Sequence, residues 1–379
     1  MAGKRTLWID HLRTFIILLV VAHHAALAYT TFSVFVPTAY ILSTAPVVDN
    51  DRGFILDYLA GYNDIFFMPL IFFLSGLFVL PAIQRKNAGI FFKDRLRRLG
   101  IPFLVAVTVI IPVAYIPSYF LATGHSELSG FVKDYLSVQS WPVGPPWFIW
   151  VLLVFNLVGI VLYNVSNTQL GISTSAYKRP VVLFILGYVI ACLALIPLSL
   201  HVGQNAWTGI GPFDFQFNRI LFYLVFFLTG FWFGGTRWDD LLFNENKLLG
   251  LSWFVWLILS VLCYITLVVM ITNDDGMSDV FLVTYNLVFV AACMFSCCWL
   301  LTVFRAKAEH PSPIMETLSS NAYGIYLVHY PFVTWLQFLL LNVSISAYFK
   351  FGIVFMGALL LSTATTHLLR TFPTFRRAV

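Results

Sequence analysis

Charge is what this sequence has least of. Only 10% of its 379 residues are Asp, Glu, Lys or Arg, against 60% hydrophobic, whereas soluble domains carry about 25% charged residues. Mean hydropathy is +0.86. This scarcity excludes a water-soluble globular enzyme and removes nucleic acid from the expected partners. Cysteine is also sparse. Cys192, Cys263, Cys293, Cys297 and Cys298 all lie in apolar segments without a CxxC pair, so they read as buried thiols and not as a disulfide framework. No His/Cys/Asp set has metal-ligand spacing, and no metal is expected. Phosphate-loop glycines are missing, because the glycines of "HVGQNAWTGIGPFD" follow no strand. No internal repeat suggests paired transporter halves. "MAGKRTLWID" opens no cleavable leader, so the first apolar stretch is expected to be retained.

What is present is apolar length. A membrane crossing needs about 20 apolar residues, and ten segments qualify: 12–32, 56–80, 99–121, 146–165, 180–200, 217–235, 248–271, 279–303, 322–342 and 347–369. The expected fold is an all-α polytopic bundle of about ten transmembrane helices with the lipid bilayer as its solvent. Basic residues gather on alternate connections: Lys4 and Arg5; Arg85, Lys86, Lys93, Arg95, Arg97 and Arg98; Lys178 and Arg179; Arg237 and Lys247; Arg305 and Lys307; and Arg370, Arg376 and Arg377. The opposite loops are poorer in Lys and Arg. The positive-inside rule then makes both termini cytoplasmic. No loop on the other side is large enough for a separate folded unit. Residues 1–379 therefore read as one membrane-embedded domain without an appended soluble domain.

Inside the first segment, "RTFIILLVVAHH" keeps a guanidinium and two imidazoles. Ionisable groups in a span are costly and point to function. Arg13 and His24 are 11 residues apart, close to three helical turns, so they share a face about 16 Å apart along the axis. Arg13 falls near the cytoplasmic surface and His24 about 10 Å below the other. This suits a division of labour, with a cation holding an anionic donor and an imidazole taking a proton from an acceptor hydroxyl. The competing structural roles are a snorkelling Arg13 and a packing His24.

At these residues the chain resembles the acyltransferase-3 family of integral membrane acyltransferases, which carries an Arg, ten residues, then a His in its first span. The resemblance continues in "FFLSG" (72–76), "RLRRLGIP" (95–102), "PPWFIWVLL" (145–153) and "NAYGIYLVHYP" (321–331). Within the family it is similar to the periplasmic glucan succinyltransferase type, whose chain ends after the tenth span. The resemblance implies transfer of an acetyl or succinyl group from cytoplasmic acyl-CoA, a donor substrate and not a resident cofactor. The acceptor is a hydroxyl of an extracytoplasmic glycan or other envelope molecule, at the cell's inner membrane. It implies His24 as catalytic base or relay, Arg13 as a donor-side or structural cation, and Arg95 and Arg98 beside the donor's phosphates. A basic loop fits a multiply charged CoA, and Arg forks suit phosphate oxygens.

Other residues follow from depth. Asp64 in "YNDIFFMPL" falls level with His24 and is expected to orient it or to be an interfacial loop residue; Asn63 is a weaker candidate. Tyr323 and Tyr326 share a face and are expected to line the donor path. Arg219, beside Asn218, reads as a headgroup anchor more than as a grip on an anionic acceptor. His329 reads as a packing histidine, and Trp141, Trp147 and Trp150 as an interfacial aromatic belt. Ser75 and Gly76 allow a close helix approach. Asp10, three residues before Arg13, is placed to pair with it, near His11. The alternative function is a proton-coupled secondary transporter or flippase using His24 and Asp64 as its relay.

Overall fold

In a bilayer every backbone N–H and C=O must find a partner inside the protein, so a long apolar chain resolves into helices. The computed structural model describes residues 7–137, 141–166, 180–236, 242–243, 249–273, 278–373 and 375. The basic residues Lys4, Arg5, Lys178, Arg179, Arg237, Lys247, Arg376 and Arg377 lie outside the described residues. The helices are α1 (Leu7–Leu27), α2 (Phe54–Gly76), α3 (Val79–Lys86), α4 (Ala88–Arg95), α5 (Ile101–Val105), α6 (Ile111–Thr123), α7 (Leu128–Ser137) and α8 (Trp147–Val165). Then follow α9 (Pro180–Val202), α10 (Ile220–Gly234), α11 (Trp253–Asn273), α12 (Asp279–Lys307), α13 (Pro313–Leu340) and α14 (Ala347–Leu369). The only β pairing among the described residues joins β1 (Trp207–Thr208) to β2 (Phe215–Gln216).

Nine described segments are long and apolar enough to cross a membrane; α3 extends the α2 segment, and α4 to α6 form one 36-residue segment. The ninth expected span lies in α13, whose 28 residues reach about 42 Å but are too polar to be one of the nine. With α13, the described residues hold ten long segments, the number expected. α1 packs against α2, α12, α13 and α14, α2 against α10, and α11 against α12. α9, α11 and α14 are the least buried segments, as suits a lipid-facing periphery.

α1 and α2 run antiparallel, for Arg13 meets Leu74 and His23 meets Phe67. This defines an arginine side and a histidine side. Both ends of the described chain lie on the arginine side: His11 Nδ1 bonds the Ala308 carbonyl at 2.8 Å just before α13, and Arg370 reaches the Asn321 side chain at 3.2 Å.

Prolines set where helices lock together. Pro102 and Pro117 have no N–H for the carbonyls four residues back, those of Arg98 and Val113. α13 supplies both missing donors. Tyr323 Oη bonds the Arg98 carbonyl at 2.7 Å and Trp335 Nε1 the Val113 carbonyl at 3.0 Å. The backbone between α4 and α6 relaxes through π turns at Leu96–Gly100 and Ala106–Ile110, a feature frequent at functional sites.

Two helices begin deep. Tyr326, midway along α13, bonds the Pro145 carbonyl, so α8 starts at mid-depth. α10 runs parallel to α2, Gly230 against Phe73 and Gly234 against Leu77. That register sets Ile220 level with Asn63, about 13 Å below the start of α2 at 1.5 Å per residue. The loops before α8 and α10 therefore descend into the bundle from the histidine side and meet where Trp147 packs edge-on against Trp207 at 5.6 Å. The histidine-side rim is stapled by Lys350 of α14, fully buried, which bonds Asp49 and Asp51 at 2.8 Å each.

The α2–α10 contact needs glycine. A Cβ at Gly76 would lie 2.2 Å from the Phe227 carbonyl oxygen, and one at Gly230 would lie 2.1 Å from that of Phe73. The close approach expected at "FFLSG" is thus made by Gly76, with two glycines of α10 facing it. Gly230→Ala is expected to cost about 1–3 kcal/mol by overpacking and to lower the thermal midpoint in detergent. Gly352→Ala, with open space around its Cβ, should leave that midpoint unchanged. Equal midpoints for both variants would contradict this packing.

Candidate active site

α1 carries the two ends of the site. On the arginine side, Arg13 Nη2 donates to the Leu74 carbonyl at 3.0 Å, and its guanidinium stacks 4.4 Å from the Phe78 ring centroid. Asp10 lies within Coulombic range, as its spacing predicts. Arg95 lies within Coulombic range of both Arg13 and Arg98, so three guanidiniums from two distant stretches share one region. Arg95 stacks on Phe91 at 4.8 Å, and Arg98 is exposed. The stretch is held by Tyr323 on the Arg98 carbonyl and by a side-chain ion pair nearby, Lys86 Nζ to Asp94 Oδ2 at 2.5 Å. Such a cluster repels itself unless an anion joins it.

On the histidine side, His24 Nδ1 lies 2.8 Å from the Val20 carbonyl and 3.3 Å from His329 Nε2. His329 Nδ1 lies 2.7 Å from the Tyr326 carbonyl. A carbonyl only accepts, so the network assigns the proton to Nδ1 in both rings. His329 Nε2 then presents a lone pair to the Nδ1–H of His24, and His24 Nε2 keeps its own lone pair. No hydrogen bond to His24 Nε2 is found among the described residues. The pair is fixed from α13: His329 is fully buried, Gln337 Nε2 donates to the His24 and Ala25 carbonyls at 3.0 and 3.2 Å, and the Tyr330 ring stands edge-on to His24 at 5.2 Å.

Asp64 does not take the place expected beside His24. Its Oδ2 accepts from Arg219 Nη1 at 2.7 Å, and its field falls on His23. Arg219 is no headgroup anchor. It is 5% exposed, reaches Asn205 Oδ1 at 3.3 Å and lies 4.7 Å from the Phe289 ring centroid. The network extends through Gln216, which bonds Asn205 at 3.2 Å and accepts from Tyr223 Oη at 2.8 Å. This ion pair ties α2 to the descending loop before α10. Asn63 and Asn218 are buried beside it, with side-chain atoms that lack partners among the described residues.

Tyr323 and Tyr326 lie between the two ends, but each hydroxyl is engaged by a backbone carbonyl; they anchor the segments around the path. Trp147 and Trp150 are not at an interface. Trp147 packs on Phe72 and Tyr223, and Trp150 Nε1 donates to the Asp214 carbonyl at 3.0 Å. Trp141 packs on Tyr135 at 5.7 Å. Sequence reasoning passed over Gln337 and Tyr330 and took His329 for packing. The available signal was the polarity of α13, the least apolar of the long segments, with His329 and Gln337 eight residues apart on one face. The transporter reading loses its relay, since Asp64 is engaged by Arg219.

Comparison with known proteins identifies the family. A family model described as an acyltransferase domain matches residues 6–367. Glucans biosynthesis protein C of Salmonella typhimurium is 27% identical over 245 residues, covering 60% of this chain and 58% of that protein. The proteins of that name from Shigella dysenteriae and Escherichia coli are each 24% identical over 237 residues, with the same coverage. The alignments thus span little more than half the length of these relatives. No solved structure matches. Arg13 and His24 lie on the first helix of a bundle matched almost from end to end, and the chain belongs to the acyltransferase-3 family of membrane acyltransferases.

Proposed function

We propose that the protein is an O-acyltransferase that moves a small acyl group, acetyl or succinyl, from acyl-CoA to a hydroxyl of a glycan or other envelope acceptor. The arginine side is the cytoplasmic, donor side, and the histidine side receives the acceptor. Arg13, Arg95 and Arg98 hold the CoA phosphates, where forked guanidiniums form charge-assisted hydrogen bonds. The pantetheine arm then extends along α1 toward His24, roughly 16 Å away at 1.5 Å per residue. The name of the glucan-related proteins supports a glycan acceptor.

The observation that carries this reading is the free Nε2 lone pair of His24. In the step, the acceptor hydroxyl oxygen attacks the thioester carbonyl carbon while His24 Nε2 takes the hydroxyl proton. The new C–O bond forms, the C–S bond breaks, and the proton passes from Nε2 to the departing thiolate of CoA. As His24 becomes cationic, its Nδ1–H strengthens its bonds to the Val20 carbonyl and His329 Nε2. His329 thus takes the part that a carboxylate plays in other base–orienter pairs.

Two outcomes test the two ends separately. Arg95→Ala with Arg98→Ala removes charge-assisted bonds of about 1.5–3 kcal/mol each, so acyl-CoA Kd should rise more than about tenfold. An unchanged Kd would remove the donor-site assignment. His329→Phe should lower kcat and leave acyl-CoA Kd at the wild-type value, while His329→Gln, which keeps an acceptor atom, recovers part of the rate. Equal rates for Phe and Gln would contradict the role given to His329.

A further inference from the structure

The bundle has a second apolar cluster apart from its main core, and it consists largely of phenols. Tyr40, Tyr115, Tyr119, Tyr135 and Tyr330 pack there around Phe131. Phenols are a costly filling for a purely structural core, because each buried hydroxyl needs a partner. Their arrangement is directional. Tyr330 stands edge-on to His24 at 5.2 Å, its ring packs on that of Tyr115 at 6.4 Å, and Tyr115 and Tyr135 belong to the same cluster. Tyr135 in turn packs on Trp141. A ladder of phenol rings thus leads from His24 to α7, which lies outside the membrane-crossing segments.

Two hydroxyls of this region are unsatisfied. Tyr135 Oη is buried without a hydrogen-bond partner among the described residues. So is Ser118 Oγ, three residues beyond Tyr115 on the same face of α6. An unmet buried hydroxyl costs about 1–3 kcal/mol. Burial holds the Tyr135 phenol above its ordinary range, so the group keeps its proton and can donate as well as accept. The charged side chain bonded into the cluster is Asp134, whose carboxylate accepts from Tyr40 Oη at 2.7 Å.

We propose that the Tyr330–Tyr115–Tyr135 ladder, with Ser118, is the acceptor subsite, and that it takes a neutral polyhydroxylated ring. This rests on the reading of His24 as the base for an acceptor hydroxyl. Aromatic walls cover the C–H faces of such a ring, the unmet hydroxyls bond its own hydroxyls, and one further hydroxyl is directed to His24 Nε2. An anionic acceptor would face the Asp134 carboxylate. A lipid alcohol would leave Tyr135 and Ser118 unmet.

The test uses the full chain in detergent, with succinyl-CoA or acetyl-CoA as donor and a soluble glucose oligosaccharide as acceptor. Tyr135→Phe and Ser118→Ala should each raise the oligosaccharide KM about two- to tenfold, the range for one lost neutral hydrogen bond. Acyl-CoA Kd should stay at the wild-type value, which also reports that the variants fold. An unchanged oligosaccharide KM in both variants overturns the subsite. Wild-type transfer to a diacylglycerol in nanodiscs but not to the oligosaccharide overturns the ring. Wild-type protein that binds no acyl-CoA overturns the functional reading, and the subsite with it.

Discussion

One shared proton organises the centre of this bundle, the Nδ1–H of His24. It lies between the Val20 carbonyl and His329 Nε2, and its position leaves Nε2 as the ring's open lone pair. In an apolar layer an imidazole must have its tautomer fixed by its neighbours, since water is not there to exchange it. Apart from the Val20 carbonyl of α1 itself, these neighbours come from α13. His329, Tyr330 and Gln337 hold His24 and the end of its helix, and Tyr326 and Tyr323 hold the segments that flank the path to the arginines. α13 is the polar spine of the site, which is why it is the least apolar of the long segments.

Proline decides where that spine attaches. Pro102 and Pro117 each free a carbonyl that lipid would leave unpaired, and α13 supplies a donor to both. The π turn that accommodates Pro102 contains Arg97 and Arg98, so helix breakage, anchoring and donor-side charge fall on one short stretch. On the opposite side, the late starts of α8 and α10 lower two loops into the bundle. The Asp64–Arg219 ion pair fastens the second loop to α2. It is a buried charge paired for position, since an unpaired Arg219 would be strongly destabilising there.

Much of this was legible in the sequence. Period and length placed the long helices, the 11-residue interval placed Arg13 and His24 on one stripe, and Gly76 announced a close contact. Depth counting also set Asp64 at the level of the histidines. Depth does not name a partner, however. Arg219 lies 155 positions from Asp64, and His329 lies 305 from His24; each partner is chosen by how helices pack around a shared axis. The inset of α8 and α10 escaped for the same reason. A helix's length is written in its residues, but its depth is fixed by the helix beside it, here by Gly230 against Phe73 and Tyr326 against Pro145. The three tryptophans were therefore placed at an interface by composition, although two of them begin a helix at mid-depth.

The central claim is that His24 Nε2 is the base and is separable from donor binding. The most direct measurement is single-turnover transfer from labelled acyl-CoA to acceptor, wild type beside His24→Gln, with acyl-CoA Kd measured on the same preparations. The account predicts wild-type affinity and a rate reduced at least about a hundredfold, the range of a lost general base. Transfer by His24→Gln at near the wild-type rate would contradict it.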